Sequence, residues 1–328
     1  MTETALPARI PATGRPQWLA LIAGPVALAV LLAVPIAEPS RYIVYLGTLV
    51  ALNAALATSL NIVIGFAGQF ALAHAAFYGL GAYGSALLIT RAGFGFWASL
   101  PIVLLSIACL ALLVGYPSLR LTGGLHFALI TFAFGELARL LVANWYDLTG
   151  GPMGIRIMYA PEPVGGLDLA SAQGLYGLAV AVLLICLGAA ALIRHSRFGR
   201  ALTAIREDEV LAAFLGIDVV WHKVGAFTVS AVLAALAGTI YAPFMSFISP
   251  DMLSGTETIA LVGVLLVGGI GTLSGPIIGT VIFYAVPEFL RLARVFRLVT
   301  LGLVIIATVL LSPGGIVGLL RRLARCSA

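Results

Sequence analysis

Apolar residues run through this chain in blocks about twenty long, the length at which a helix crosses a bilayer, and short polar stretches separate them. The blocks predict spans at 18–36, 42–64, 68–90, 96–115, 124–145, 174–193, 221–243, 256–271, 275–290 and 298–312. The expected fold is therefore all-α, a polytopic integral membrane protein with about ten transmembrane helices. The run at 18–36 is long for the core of a secretory signal and lacks a small-residue cleavage site, so it reads as a retained first span. Residues 1–17 precede it as a polar tail, 18–312 form the transmembrane domain, and 313–328 are a basic tail.

Two polar interruptions are long. Residues 146–173 carry Asp147, Arg156, Glu162 and Asp168 among glycines and prolines, too much chain for a tight turn. The second, 194–223, reads RHSRFGRALTAIREDEVLAAFLGIDVVWHK and holds the chain's single lysine, Lys223. Here Glu207, Asp208 and Glu209 crowd the predicted first turn of a short helix, where carboxylates oppose the positive end of the backbone dipole. Gly216 is expected to end that helix. Between them Val210, Leu211, Phe214 and Leu215, at one-and-four spacing, give a greasy face to a charged segment that also contains Arg200 and Arg206. A loop needs no such face unless something docks there.

Composition agrees with the pattern: 61% of the 328 residues are hydrophobic and 9% charged, against roughly 25% charged in soluble domains. The net charge of +5 comes from arginines in short loops, so it carries topology rather than a nucleic-acid surface. With the amino terminus inside, the inside loops hold Arg9, Arg15, Arg120, Arg194, Arg197, Arg200, Arg206, Lys223, Arg321, Arg322 and Arg325. The outside loops hold Arg41, Arg91, Arg156, Arg291, Arg294 and Arg297, and Arg139 lies within a span. This bias puts both termini and 194–223 in the cytoplasm and 146–173 on the outer face. A single broken helix over 256–290 would move the 291–297 cluster inside. The tail arginines read as a stop-transfer anchor at anionic lipid.

Glycine is dense from Gly65 to Gly84 and from Gly263 to Gly279. Close packing of helices through small residues is one reading. A broken helix lining a pathway, with freed backbone groups facing a cavity, is the other. Polar groups inside spans are costly and therefore informative. Asn53, Asn61, Gln69, His74 and Glu136 are the candidate translocation path. Glu136 and Arg139, three apart on one helix, favour a local ion pair over binding the two charged ends of a zwitterionic solute. Thr256, Glu257 and Thr258 read as a helix cap.

Catalytic chemistry is not expected. The phosphate-binding pattern GxxxxGK followed by Ser or Thr needs a lysine after glycine, and Lys223 follows Trp221 and His222. No HExxH or GxSxG stands in the chain, and Cys109, Cys186 and Cys326 have neither disulfide nor metal spacing. An enzyme acting by itself is not expected, nor a cofactor bound by this chain.

The runs LNIVIGFAGQFALAHAAFYGLGAY, FALITFAFGELARL, TGGPMGI, SRFGRALTAIREDE with GI after it, and GGIGTLSGPIIG resemble the permease subunits of bacterial branched-chain amino acid ABC importers, the M-type partner in particular. The similarity runs from about Asn53 to Gly315. It implies a bacterial inner-membrane uptake system with a second permease subunit as heterodimer partner, two cytoplasmic ATPase subunits that use ATP, and a periplasmic solute-binding protein. It also implies that 194–223 is the ATPase-docking loop. The general importer pattern has EAA followed by glycine after three residues; here Ala212 and Ala213 precede Gly216 by fewer, and no glutamate stands directly before them. Two other readings stand beside this one: an ion-coupled secondary transporter or channel using Glu136 and His74 as proton relays, and an ABC permease for urea or short amides.

Overall fold

The computed structural model describes residues 40–121, 124–163, 165, 166, 168–289 and 315–318. The predicted spans at 18–36 and 298–312, the 291–297 cluster and the tail arginines lie outside the described residues. Within them the chain forms α1 (Arg41–Asn61, continued by a π-helical turn, Ile62–Phe66), α2 (His74–Thr90), α3 (Phe96–Leu121), α4 (Leu125–Asn144), a short α5 (Tyr146–Thr149) and α6 (Ala172–His195). Then follow α7 (Arg197–Glu207), α8 (Glu209–Phe214), α9 (Val219–Met245), α10 (Gly255–Gly268) and α11 (Gly275–Phe289). The one departure from all-α is a pair of two-residue strands, β1 (Ile155–Arg156) and β2 (Phe247–Ile248), paired antiparallel.

Five of these helices are long and apolar enough to cross a membrane: α1 with its π turn, α3, α4, α6 and α9. They differ widely in burial. In α1 the most apolar window is 89% buried, as expected of a helix that is greasy all round, whereas in α3 it is 28% buried. Leu105 and Leu113 of α3, Leu129 of α4 and Leu192 of α6 face outward, an apolar belt suited to lipid.

Small residues bring the inner helices together. A methyl group on Gly238 of α9 would collide with the Tyr78 carbonyl of α2, and one on Gly81 of α2 with the Ala235 carbonyl of α9. Both glycines serve close packing, the first of the two roles proposed for the 65–84 glycines, to which Gly81 belongs. Phe77, Phe127 and Phe227 interlock edge-on beside that contact, with centroids 5.4 to 5.5 Å apart.

The predicted spans 256–271 and 275–290 are short helices of 14 and 15 residues. At 1.5 Å per residue each is about 21 to 23 Å long, less than the roughly 30 Å hydrocarbon core. They pack against each other as an antiparallel hairpin, Gly268 at the carbonyl of Gly275 and Gly279 at the carbonyl of Val264. The alternative of one broken helix over 256–290 is therefore not realised.

The two ends of the bundle are distinct. At one end, Arg91 donates to the Asp147 carbonyl at 2.7 Å, Trp97 donates to the Glu162 carbonyl at 3.0 Å, and β1 pairs with β2. At the other lie α7 and α8. Lys223, expected among the inside-loop charges, stands within the first turns of α9 and is nearly fully buried, its ammonium 2.6 Å from the Glu209 carboxylate. A buried ammonium requires such a partner.

Candidate functional site: interrupted helices, a cavity and a docking loop

The predicted span 68–90 starts as a helix only at His74, because the chain leaves α1 through a π turn and an irregular segment. Gly68 there has φ +67°, a conformation that glycine adopts without strain. The freed donors find partners: Gln69 N–H reaches the Val63 carbonyl, Leu72 N–H the Thr131 hydroxyl at 3.0 Å, and Ala75 N–H the Thr258 hydroxyl at 3.1 Å. Non-helical backbone at this depth is tolerated only when satisfied in this way. Thr258 thus serves α2 rather than its own helix. The first N–H of α10, from Gly255, is met instead by Glu136 of α4 at 3.1 Å.

The second interruption is the tip of the α10–α11 hairpin, where Gly271 has φ +75°. Asn61 joins the two interruptions. Its Oδ1 accepts from Gly271 N–H and its Nδ2 donates to the Thr272 carbonyl, both at 2.8 Å. The Thr272 hydroxyl accepts from Gly275 N–H at 3.0 Å and so opens α11.

The other predicted path residues separate. His74, fully buried, bonds Ser230 of α9 through Nε2, and Ser230 gives its hydroxyl proton to the Ser59 carbonyl at 2.6 Å. With that proton committed, Nε2 must be the donor and Nδ1 the bare acceptor. Among the described residues, His74 Nδ1 and Gln69 Oε1 have no hydrogen-bond partner. Glu136 pairs with Arg139 at 2.7 Å as well as binding Gly255. Asn53 donates to its own helix at Leu49, 2.8 Å, and faces a cavity.

That cavity, of about 280 Å³, lies between α1, α2, α9, α10 and α11. Leu56, Leu261, Val264 and Phe283 form an apolar wall, and Asn53, Tyr78, Tyr241, Asp251 and Glu257 supply the polar groups. Of the predicted path residues only Asn53 lines it. The approach of Tyr78, Tyr241 and Glu257 is tertiary, and no local pattern signals it.

At the opposite end, 196–218 is built of two helices where one was predicted. Glu207 closes α7 instead of opening α8. Asp208 caps α8, its carboxylate accepting from Leu211 N–H at 2.9 Å. Gly216, at φ +82°, ends α8, with Ile217 N–H returning to the Ala212 carbonyl at 3.1 Å in a Schellman-type closure. The greasy face is outward: Phe214 is 84% exposed, Leu215 72%, Val210 66% and Leu211 57%, while Ala212 faces in. It borders a groove of about 750 Å³ that also takes Leu119, Arg120 and Leu121 from the end of α3. Arg200 stays local, bonding the His195 carbonyl.

Residues 42–309 match the family described as the permease component of the branched-chain amino acid transport system. The chain belongs to this family. Among its relatives is the high-affinity branched-chain amino acid transport system permease protein LivM of Escherichia coli (strain K12), 33% identical over 323 residues, which cover 90% of this chain and 75% of that protein. LivM of Salmonella typhimurium is 32% identical with the same coverage. The autoinducer 2 import system permease protein LsrC of Enterobacter sp. (strain 638) is 30% identical over 203 residues, 60% of this chain and 57% of that one. No solved structure matches.

Proposed function

We propose that the chain is the M-type translocating subunit of an ATP-driven importer of branched-chain or closely related amino acids. The observation that carries this reading is the exposed apolar face of α8, Val210, Leu211, Phe214 and Leu215, at the end of a chain without a nucleotide-binding motif. About four contiguous large apolar residues at a membrane protein's aqueous end are a protein contact in waiting. An ATPase pair seated there would drive rigid-body motion of the helices around the path. Likeness to the LivM proteins supports the cargo, and the apolar wall of the cavity beside Asn53 and Glu257 suits a solute with an aliphatic side chain and an ammonium group.

The remaining partners in this reading are a second permease subunit of the H type, two ATPase subunits at the cytoplasmic end and a periplasmic solute-binding protein. The arginine bias supports an inner-membrane chain with both termini cytoplasmic, α7 and α8 inside and 146–173 outside. The experiment is purification of the chain from native membranes with its companions, followed by identification of the solute held by the binding protein. A chain that purifies without an ATPase contradicts the proposal.

A further inference from the structure

Arg206 stands two residues before the Asp208 cap of α8, yet its side chain serves the membrane part of the chain. Its Nη1 donates to the carbonyl of Gly65, in the π turn that ends α1. In an unbroken helix that carbonyl would accept from Gln69 N–H, which here turns to Val63 instead. The stem of the same side chain covers Gly68, where an added Cβ would stand 2.8 Å from Arg206 Cγ. Its Nη1 also lies against the hairpin tip, 2.9 Å from where a Cβ on Gly271 would be. One guanidinium therefore touches both interrupted segments at the point where Asn61 ties them together.

Of the other loop arginines, Arg200 bonds the nearby His195 carbonyl. The cytoplasmic helices have a second charged tie, Glu209 to Lys223, which anchors α8 to α9. The two ties differ in what they hold: the lysine pair holds the packed body, and Arg206 holds the segments whose backbone is already outside the helical ladder.

We infer that Arg206 is a positioning residue that couples α7 and α8 to both interrupted segments, 67–73 and 269–274, so that displacement of α8 shifts the two segments together. This rests on reading the chain as an ATP-driven permease, in which α8 is the part that is pushed. Arginine is suited to the task because its planar, multi-donor head can meet a carbonyl and lie against a second backbone at once, whereas a lysine presents a point charge.

The test uses the full chain with Cys109, Cys186 and Cys326 replaced by alanine and a reporter thiol introduced by Ser274→Cys at the hairpin tip. In inside-out vesicles, labelling by a membrane-impermeant thiol reagent is expected to accelerate about tenfold with Arg206→Gln and to an intermediate degree with Arg206→Lys. Arg200→Gln, in the same loop, is expected to leave the rate unchanged. In the reconstituted complex Arg206→Gln is expected to keep the ATPase bound and hydrolysing while solute moved per ATP falls at least tenfold. Unchanged labelling in Arg206→Gln, or release of the ATPase by that substitution, overturns the inference. Labelling needs no ATPase, so its failure is distinct from the failure of the importer reading, which shows as an absence of ATPase in the purified complex. If Arg206→Gln does not fold, Arg206→Lys decides: a labelling rate equal to that of the parent overturns the inference.

Discussion

Glu209 and Lys223 form a 2.6 Å ion pair in which the ammonium is almost fully buried and the carboxylate is half exposed. The pair fixes the angle at which α8 leaves the membrane part, because Lys223 belongs to α9 and Glu209 opens α8.

Breaking one partner should cost more than removing both. Glu209→Gln leaves a buried ammonium without its counter-charge and is expected to destabilise by about 1–3 kcal/mol, below the ~3–5 kcal/mol of a fully buried pair because water reaches the carboxylate. Glu209→Gln combined with Lys223→Met is expected to recover more than half of that loss. Thermal unfolding of the four proteins of the cycle in detergent measures it, and strict additivity would contradict coupling across the pair.

Glu136 is expected to matter for stability rather than for solute choice. It satisfies Arg139 and the Gly255 N–H, so Glu136→Gln weakens one charge-assisted bond and one helix cap, about 1–3 kcal/mol together. The unfolding temperature should drop while KM for leucine in the assembled transporter stays within about twofold. A large rise in KM with unchanged unfolding would reassign Glu136 to the path.

Glycines of the two kinds should respond oppositely. Gly238→Ala drives a methyl into the Tyr78 carbonyl, and overpacking of this kind costs ~1–3 kcal/mol or more. Gly188→Ala, in α6, meets nothing within 4 Å and gains helix propensity, up to about 1 kcal/mol. Yield and unfolding temperature of the two variants distinguish them; equal behaviour would contradict the close approach of α2 and α9.

The apolar face of α8 makes its own prediction. Phe214→Asp with Leu215→Asp should abolish co-purification of the ATPase while insertion and unfolding of the chain stay unchanged, since both side chains are exposed. Normal co-purification would place the contact elsewhere.

Much of this architecture was legible because hydropathy alone sets span length: the helices starting at Arg41, Phe96, Leu125, Ala172 and Val219 fall within a few residues of the predicted blocks. The same measure missed the non-helical stretch before His74, since apart from Gly68 and Gln69 its residues are as apolar as those of a helix. In the loop, α8 was visible from Asp208, the apolar spacing and Gly216. The preceding α7 was not, because its buried residues, Gly199, Leu202 and Ile205, are few among charges. The polar residues inside spans were read as a path; Asn61 instead closes α1, and Gln69 falls in the non-helical stretch that follows the π turn. The bonds that hold these segments, Asn61 with Thr272 and Gly65 with Arg206, join residues more than 140 positions apart along the chain, a separation that no local pattern encodes.

The central claim is that this chain moves its solute on energy received through α8. The direct measurement is leucine uptake into proteoliposomes holding the chain, its partner permease and the ATPase subunits, with binding protein outside and ATP inside. Uptake that requires internal ATP and the binding protein, and that Phe214→Asp with Leu215→Asp reduces to background, is the predicted result. Robust leucine uptake by this chain alone, driven by an ion gradient without ATP, would contradict it.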